Sequence, residues 1–260
     1  SSPQVLAQGN FSPFGIGQRQ QVTLVWVWNT QWLEPGEYTL RYTLLPGNTS
    51  WHETVSLLPR EDLPLAEQQA AWASRTTVCC SIHYLTGTEA ERDLPELLPI
   101  INEQARLASE RMQIEFTQPI TITLIPRVMG HGGFATDEIH VSYLDRNYTE
   151  GVFGMVIQHE MVHILDRRLG GDLRPDMLVE GLAVYVTGGH YRPGPLLPRA
   201  AALLDAWGDP SQPGLARYLP LQELADNFYH AQHEIGYLQA GALVDYMVRT
   251  WGWTAFSTFY

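Results

Sequence analysis

The chain has no lysine: all 16 basic residues among its 260 are Arg. Schiff-base and lysine-nucleophile chemistry are therefore excluded. Against 28 acidic residues the net charge is −12, and no basic cluster interrupts it. That balance argues against nucleic acid and anionic membrane surfaces as partners. No run approaches the ~18 consecutive apolar residues that read as a membrane-spanning helix. Cysteine is confined to the adjacent pair Cys79-Cys80, which fits neither a multi-bridge framework nor a zinc-ribbon or thioredoxin-type motif. The pair reads as two buried thiols pointing to opposite faces of a strand, or as a strained vicinal disulfide. The redox compartment stays open on either reading. The chain begins Ser1-Ser2-Pro3 without a basic-plus-apolar leader, so any signal peptide is expected to have been removed or to lie outside this sequence.

What the chain does have is His159-Glu160-Met161-Val162-His163, followed seventeen residues later by Glu180. On an α-helix, residues i and i+4 lie one above the other, so His159 and His163 can offer two imidazole nitrogens to one ion. Catalytic zinc commonly takes three protein ligands from His and carboxylate and leaves one position for water. Glu180 is the obvious third ligand, and Glu160 projects beside the pair as a general base for a zinc-bound water. The stretch Phe153 to Leu169 reads as one buried helix. It stops at Gly170-Gly171, and Arg167 and Arg168 complement the negative end of its dipole. Asp166 falls on the same face and is either an acceptor for the non-ligating nitrogen of a ligand His or the partner of a nearby Arg.

The pattern along the chain predicts α+β organisation. Residues 1–62 read as a small β module with alternating runs at 21–28, 37–45 and 51–58, a weak echo of part of an immunoglobulin-like sandwich. Residues 63–76 read as a linker. From 77 to 260 the pattern gives a strand (77–85), a helix ending near Met112, strands at 119–126 and 138–144, and then helices. The last of these, 254–260, reads as the start of a helix that the natural chain continues. Gly130-His131-Gly132-Gly133 is a loop, either a flap over a cleft or a tight turn. His190, behind Gly188-Gly189, and His233, at a helix start, lie within reach of the same cleft.

His159-Glu160-x-x-His163 with Glu180-Gly181-x-Ala183 resembles the gluzincin branch of the zincin metallopeptidases, and more narrowly the bacterial peptidase MA-like domains. Stretches around His131 to Phe134, Ile139 to Asp145, Glu180 to Tyr191 and Tyr237 to Tyr246 carry the likeness across residues 77–260. The metzincin branch requires a third His where this chain has Leu169. The resemblance implies a thermolysin-like domain with a small antiparallel sheet, a helical lobe and a zinc cofactor. It implies a peptide or protein substrate paired to a sheet edge at Gly132, Gly133, Ile139 and Val141. It also implies that Tyr237 serves as the oxyanion donor, although Gln239-Ala240 stands where such members usually carry Lys-Gly. His190 and His233 are the alternatives to Tyr237. The expected activity is that of a metalloendopeptidase, since no exopeptidase signature precedes the motif, and the expected location is the bacterial cell envelope or exterior. Two rivals remain: a non-catalytic zinc-stabilised scaffold, and a metal-assisted hydrolase of a non-peptide amide.

Overall fold

The computed structural model describes residues 5–14, 19–22, 30, 32–47, 49–127, 132–144, 152–171, 174–190, 192–207, 219–230 and 233–260. They form two compact units, one of residues 1–10 with 23–71 and one of residues 11–22 with 72–260. Helices and small sheets are mixed throughout.

In chain order, β1 (Ser12–Phe14) and β2 (Arg19–Gln21) pair antiparallel and belong to the larger unit. Most of the strand expected at 21–28 lies outside the described residues. The smaller unit holds the hairpin of β3 (Gly36–Leu44) and β4 (Thr49–Leu57), in which Tyr42 and Trp51 sit directly opposite and stack at 5.2 Å. A 3-10 turn (Arg60–Asp62) and a short helix, α1 (Leu65–Gln69), follow.

The larger unit starts earlier than the expected linker 63–76 allows. β5 (Trp72–Thr76) is already an edge strand, paired antiparallel with β6 (Cys80–Leu85). Cys79 and Cys80 are joined by a disulfide at the start of β6, so the reading as two separate thiols does not hold. α2 (Glu89–Met112) then crosses to β7 (Ile120–Ile125), and β8 (Gly133–Ala135) and β9 (Ile139–Ser142) complete a five-stranded sheet of order β5-β6-β7-β9-β8. The sheet is mixed rather than antiparallel. β6, β7 and β9 run parallel, because the helical connection from β6 to β7 returns the chain to the same end of the sheet. Alternation places Ile82, Tyr84, Ile122, Leu124, Ile139 and Val141 in one buried core with α2 and the next helix.

That helix, α3 (Phe153–Leu169), occupies the expected span and ends at Gly170. Its last turn is tied to the sheet by Arg167, which donates to the carbonyls of Ala135 (2.7 Å) and Thr136 beside β8. α4 (Asp176–Thr187), the two-residue strands β10 (Gly189–His190) and β11 (Arg192–Pro193), and α5 (Leu196–Trp207) come next. After them come α6 (Leu221–Asp226), a 3-10 turn (Phe228–His230), α7 (His233–Trp251) and α8 (Trp253–Phe259).

α4 and α7 pack at unusually close range, and small residues make this possible. A Cβ on Gly181 would lie 2.7 Å from the Ala240 carbonyl oxygen. In an open helix, Gly→Ala gains up to about 1 kcal/mol; here the methyl must push two backbones apart, an overpacking cost of about 1–3 kcal/mol. Gly181→Ala is therefore expected to lower the urea midpoint of unfolding, with a net loss of about 1–2 kcal/mol. An unchanged or higher midpoint would show that the two helices slide apart at little cost.

Candidate metal centre

α3 presents His159 and His163 one helical turn apart, their rings edge to face at 4.8 Å. α4 presents Glu180 to both. Glu180 Oε2 lies 3.1 Å from His159 Nε2 and 3.4 Å from His163 Nε2. Among the described residues these three are the one group of His, Cys, Asp and Glu able to hold a metal ion, with ligand atoms all within 4.8 Å of one another. Two imidazole nitrogens and one carboxylate oxygen converging in this way are the donor set that suits zinc. Burial raises the pKa of Glu180, but hydrogen bonds and charge from His159 and His163 overcome it and hold the carboxyl below the usual carboxylate range. Burial opposes protonation of His159, yet the carboxylates of Glu180 and Glu160 raise its pKa. Glu160 itself is buried within α3 next to His159.

A wall of aromatic and imidazole rings stands beside this group. The Tyr237 ring, on the first turns of α7, lies 6.2 Å from that of His159. It stacks on His190 at 4.5 Å and on His233 at 4.4 Å, and those two imidazoles are 5.1 Å apart, so the three rings meet as a triangle. His190 Nδ1 lies 2.7 Å from Glu234 Oε2, and Arg199 donates to the other oxygen of Glu234 at 3.3 Å. Burial lowers the pKa of His190 despite the Glu234 carboxylate. A neutral His190 then donates Nδ1–H to Glu234 and keeps Nε2 as an acceptor.

Of the two readings of Asp166 the ion pair with an Arg is the one observed, and the expected sheet edge is corrected. Asp166 is fully buried, and its two oxygens have other partners. It accepts from Tyr260 Oη at 2.6 Å and pairs with Arg174, so it anchors the end of α3 to the last residue of the chain rather than orienting a ligand His. Ile139 and Val141 are not at a sheet edge. β9 is bonded to β7 on one side and to β8 on the other, and both side chains face the core. The edge strand is β8, so Gly133 lies on it and Gly132 just before it. His131 falls outside the described residues.

One residue of the site has no signature in the sequence. Tyr229, in the turn Phe228–His230, donates its hydroxyl proton to Glu180 Oε1 at 2.9 Å. Burial and the Glu180 carboxylate raise the pKa of this phenol, so it stays protonated.

No helix among the described residues is long and apolar enough to cross a membrane. No family model matches the chain, and no curated protein sequence matches it. Among solved structures, the crystal structure of M1 zinc metallopeptidase from Deinococcus radiodurans matches at 14% identity with a TM-score of 0.42. The alignment covers 87% of this chain and 52% of that one, so this chain spans about half the length of that neighbour.

Proposed function

We propose that this chain is a gluzincin-type zinc metallopeptidase that hydrolyses internal peptide bonds. The observation that carries the reading is the convergence of His159 Nε2, His163 Nε2 and Glu180 Oε2 beside the buried carboxylate of Glu160. When bound by these three residues, zinc supplies a Lewis acid that polarises the scissile carbonyl and lowers the pKa of water towards ~7.

The chain's own residues do the rest. Glu160 takes a proton from the attacking water and delivers it to the departing amine. Tyr237 donates its phenolic proton in a hydrogen bond to the oxyanion that develops on the carbonyl oxygen. An extended peptide would pair along β8, three residues long at the sheet edge and tied to α3 through Arg167. In the sequence, the missing exopeptidase signature ahead of α3 favours internal bonds.

The test is a metal analysis of the purified chain joined to a peptide-library cleavage assay. About one zinc per chain is expected for a His₂Glu site. Cleavage should stop on chelation and return with added zinc. A chain that binds no zinc overturns the reading. Full zinc occupancy with no cleavage across diverse peptides replaces it with the scaffold.

A further inference from the structure

The two oxygens of the Glu180 carboxylate have different partners. Oε2 faces the Nε2 atoms of His159 and His163, whereas Oε1 accepts the hydroxyl proton of Tyr229. Tyr229 reaches this carboxylate from 49 residues along the chain, on a different element from either imidazole. Its turn is fixed from below. Phe228 is buried in a cluster with Leu219, Leu224, Ile235 and Ala240, and its ring meets Tyr229 edge to face at 5.3 Å and Tyr237 at 5.0 Å. The Tyr229 side chain contributes little to that core, since the residue is 53% exposed. Its hydroxyl is the part that engages the site.

We infer that Tyr229 is a positioning residue for the metal: by holding Oε1 it fixes the Glu180 rotamer and confines that ligand to a single oxygen, Oε2. A carboxylate free to bind through both oxygens would fill two coordination positions. Confining it to one leaves room for water or a substrate carbonyl, the feature that separates catalytic from closed structural sites. Outer hydrogen bonds of this kind also orient a ligand before the ion arrives, and removing one typically weakens metal binding by about 10–100-fold. The inference rests on the metallopeptidase reading above, but only on its metal-binding half.

The experiment compares the full chain with Tyr229→Phe, which removes one oxygen atom from a half-exposed ring. Zinc affinity is measured by competition with a chromogenic chelator, metal-free thermal unfolding is recorded for both proteins, and cobalt(II) is substituted for its visible spectrum. The expected result is an affinity lower by about 10–100-fold, an unchanged metal-free midpoint, and weaker cobalt bands as the freed Oε1 raises the coordination number. Equal affinity and an equal cobalt spectrum in the two proteins would overturn the inference while leaving the peptidase reading intact. An affinity loss that merely follows a lowered metal-free midpoint would make Tyr229 structural and overturn it as well. A parent chain that binds no zinc removes both readings together.

Discussion

Replacing Glu160 by Gln is expected to leave zinc content and folding intact while reducing peptide hydrolysis by about 10²–10⁴-fold. The two side chains have nearly the same shape, so the packing of α3 around this buried position should survive. What disappears is a base. A carboxylate accepts a proton at neutral pH and a carboxamide does not. The substitution also removes one of the two carboxylates whose charge acts on His159. Zinc affinity should therefore fall somewhat, and kcat has to be compared at saturating metal. His159, His163 and Glu180 all remain, so occupancy near that of the parent is attainable. Full hydrolysis by a fully metallated Glu160→Gln protein would mean that another group handles the proton. Among the described residues near the centre, His190 with its Glu234 partner would then be the first to examine.

The helices and the convergence of His159, His163 and Glu180 were legible in the sequence because both are periodic and local. α3 and α5 begin and end where their apolar spacing and flanking Gly or Pro say they should. A pair at i and i+4 fixes its own geometry once the helix is granted, and Glu180 needed only a second helix close behind. The features that escaped are short or non-local. β8 has three residues and β5 has five, too few for alternation to announce a strand. With β8 unread, nothing in the sequence moves the edge that the resemblance implies away from Ile139 and Val141. Asp166 lies nearly two helical turns beyond His159, and its partners arrive from Arg174 and Tyr260, one just past α3 and the other at the last residue. Periodicity gave its face but not its neighbour. Tyr229 sits in a three-residue turn with no motif around it, and only tertiary packing brings it to Glu180.

Replacing Tyr237 by Phe is expected to reduce kcat by about 10²–10³-fold, with zinc content and KM nearly unchanged, as befits an interaction made only in the transition state. The close packing of Gly181 against Ala240 links the helix that carries Glu180 to the helix that carries Tyr237, so the phenol is held at a fixed offset from the metal ligands. Contacts with Phe228, His190 and His233 restrain its ring. These contacts should persist in the Phe variant, which isolates the hydroxyl. The competing donors differ in chemistry. His190 spends its Nδ1–H on Glu234 and, with its pKa lowered by burial, presents Nε2 as an acceptor that has no proton to give. Tyr229 has a suitable phenol, but its proton is engaged by Glu180. Tyr237→Phe, His190→Ala and Tyr229→Phe should accordingly separate. The first should lose kcat at unchanged zinc content, whereas the last should lose metal affinity and regain only part of its activity at saturating zinc, because the freed Glu180 Oε1 then competes for the position left for water. His190→Ala should fall between them, through a less restrained Tyr237 ring. If Tyr237→Phe keeps full activity while His190→Ala or His233→Ala abolishes it, the oxyanion donor is a histidine, and α7 supplies only the wall behind it.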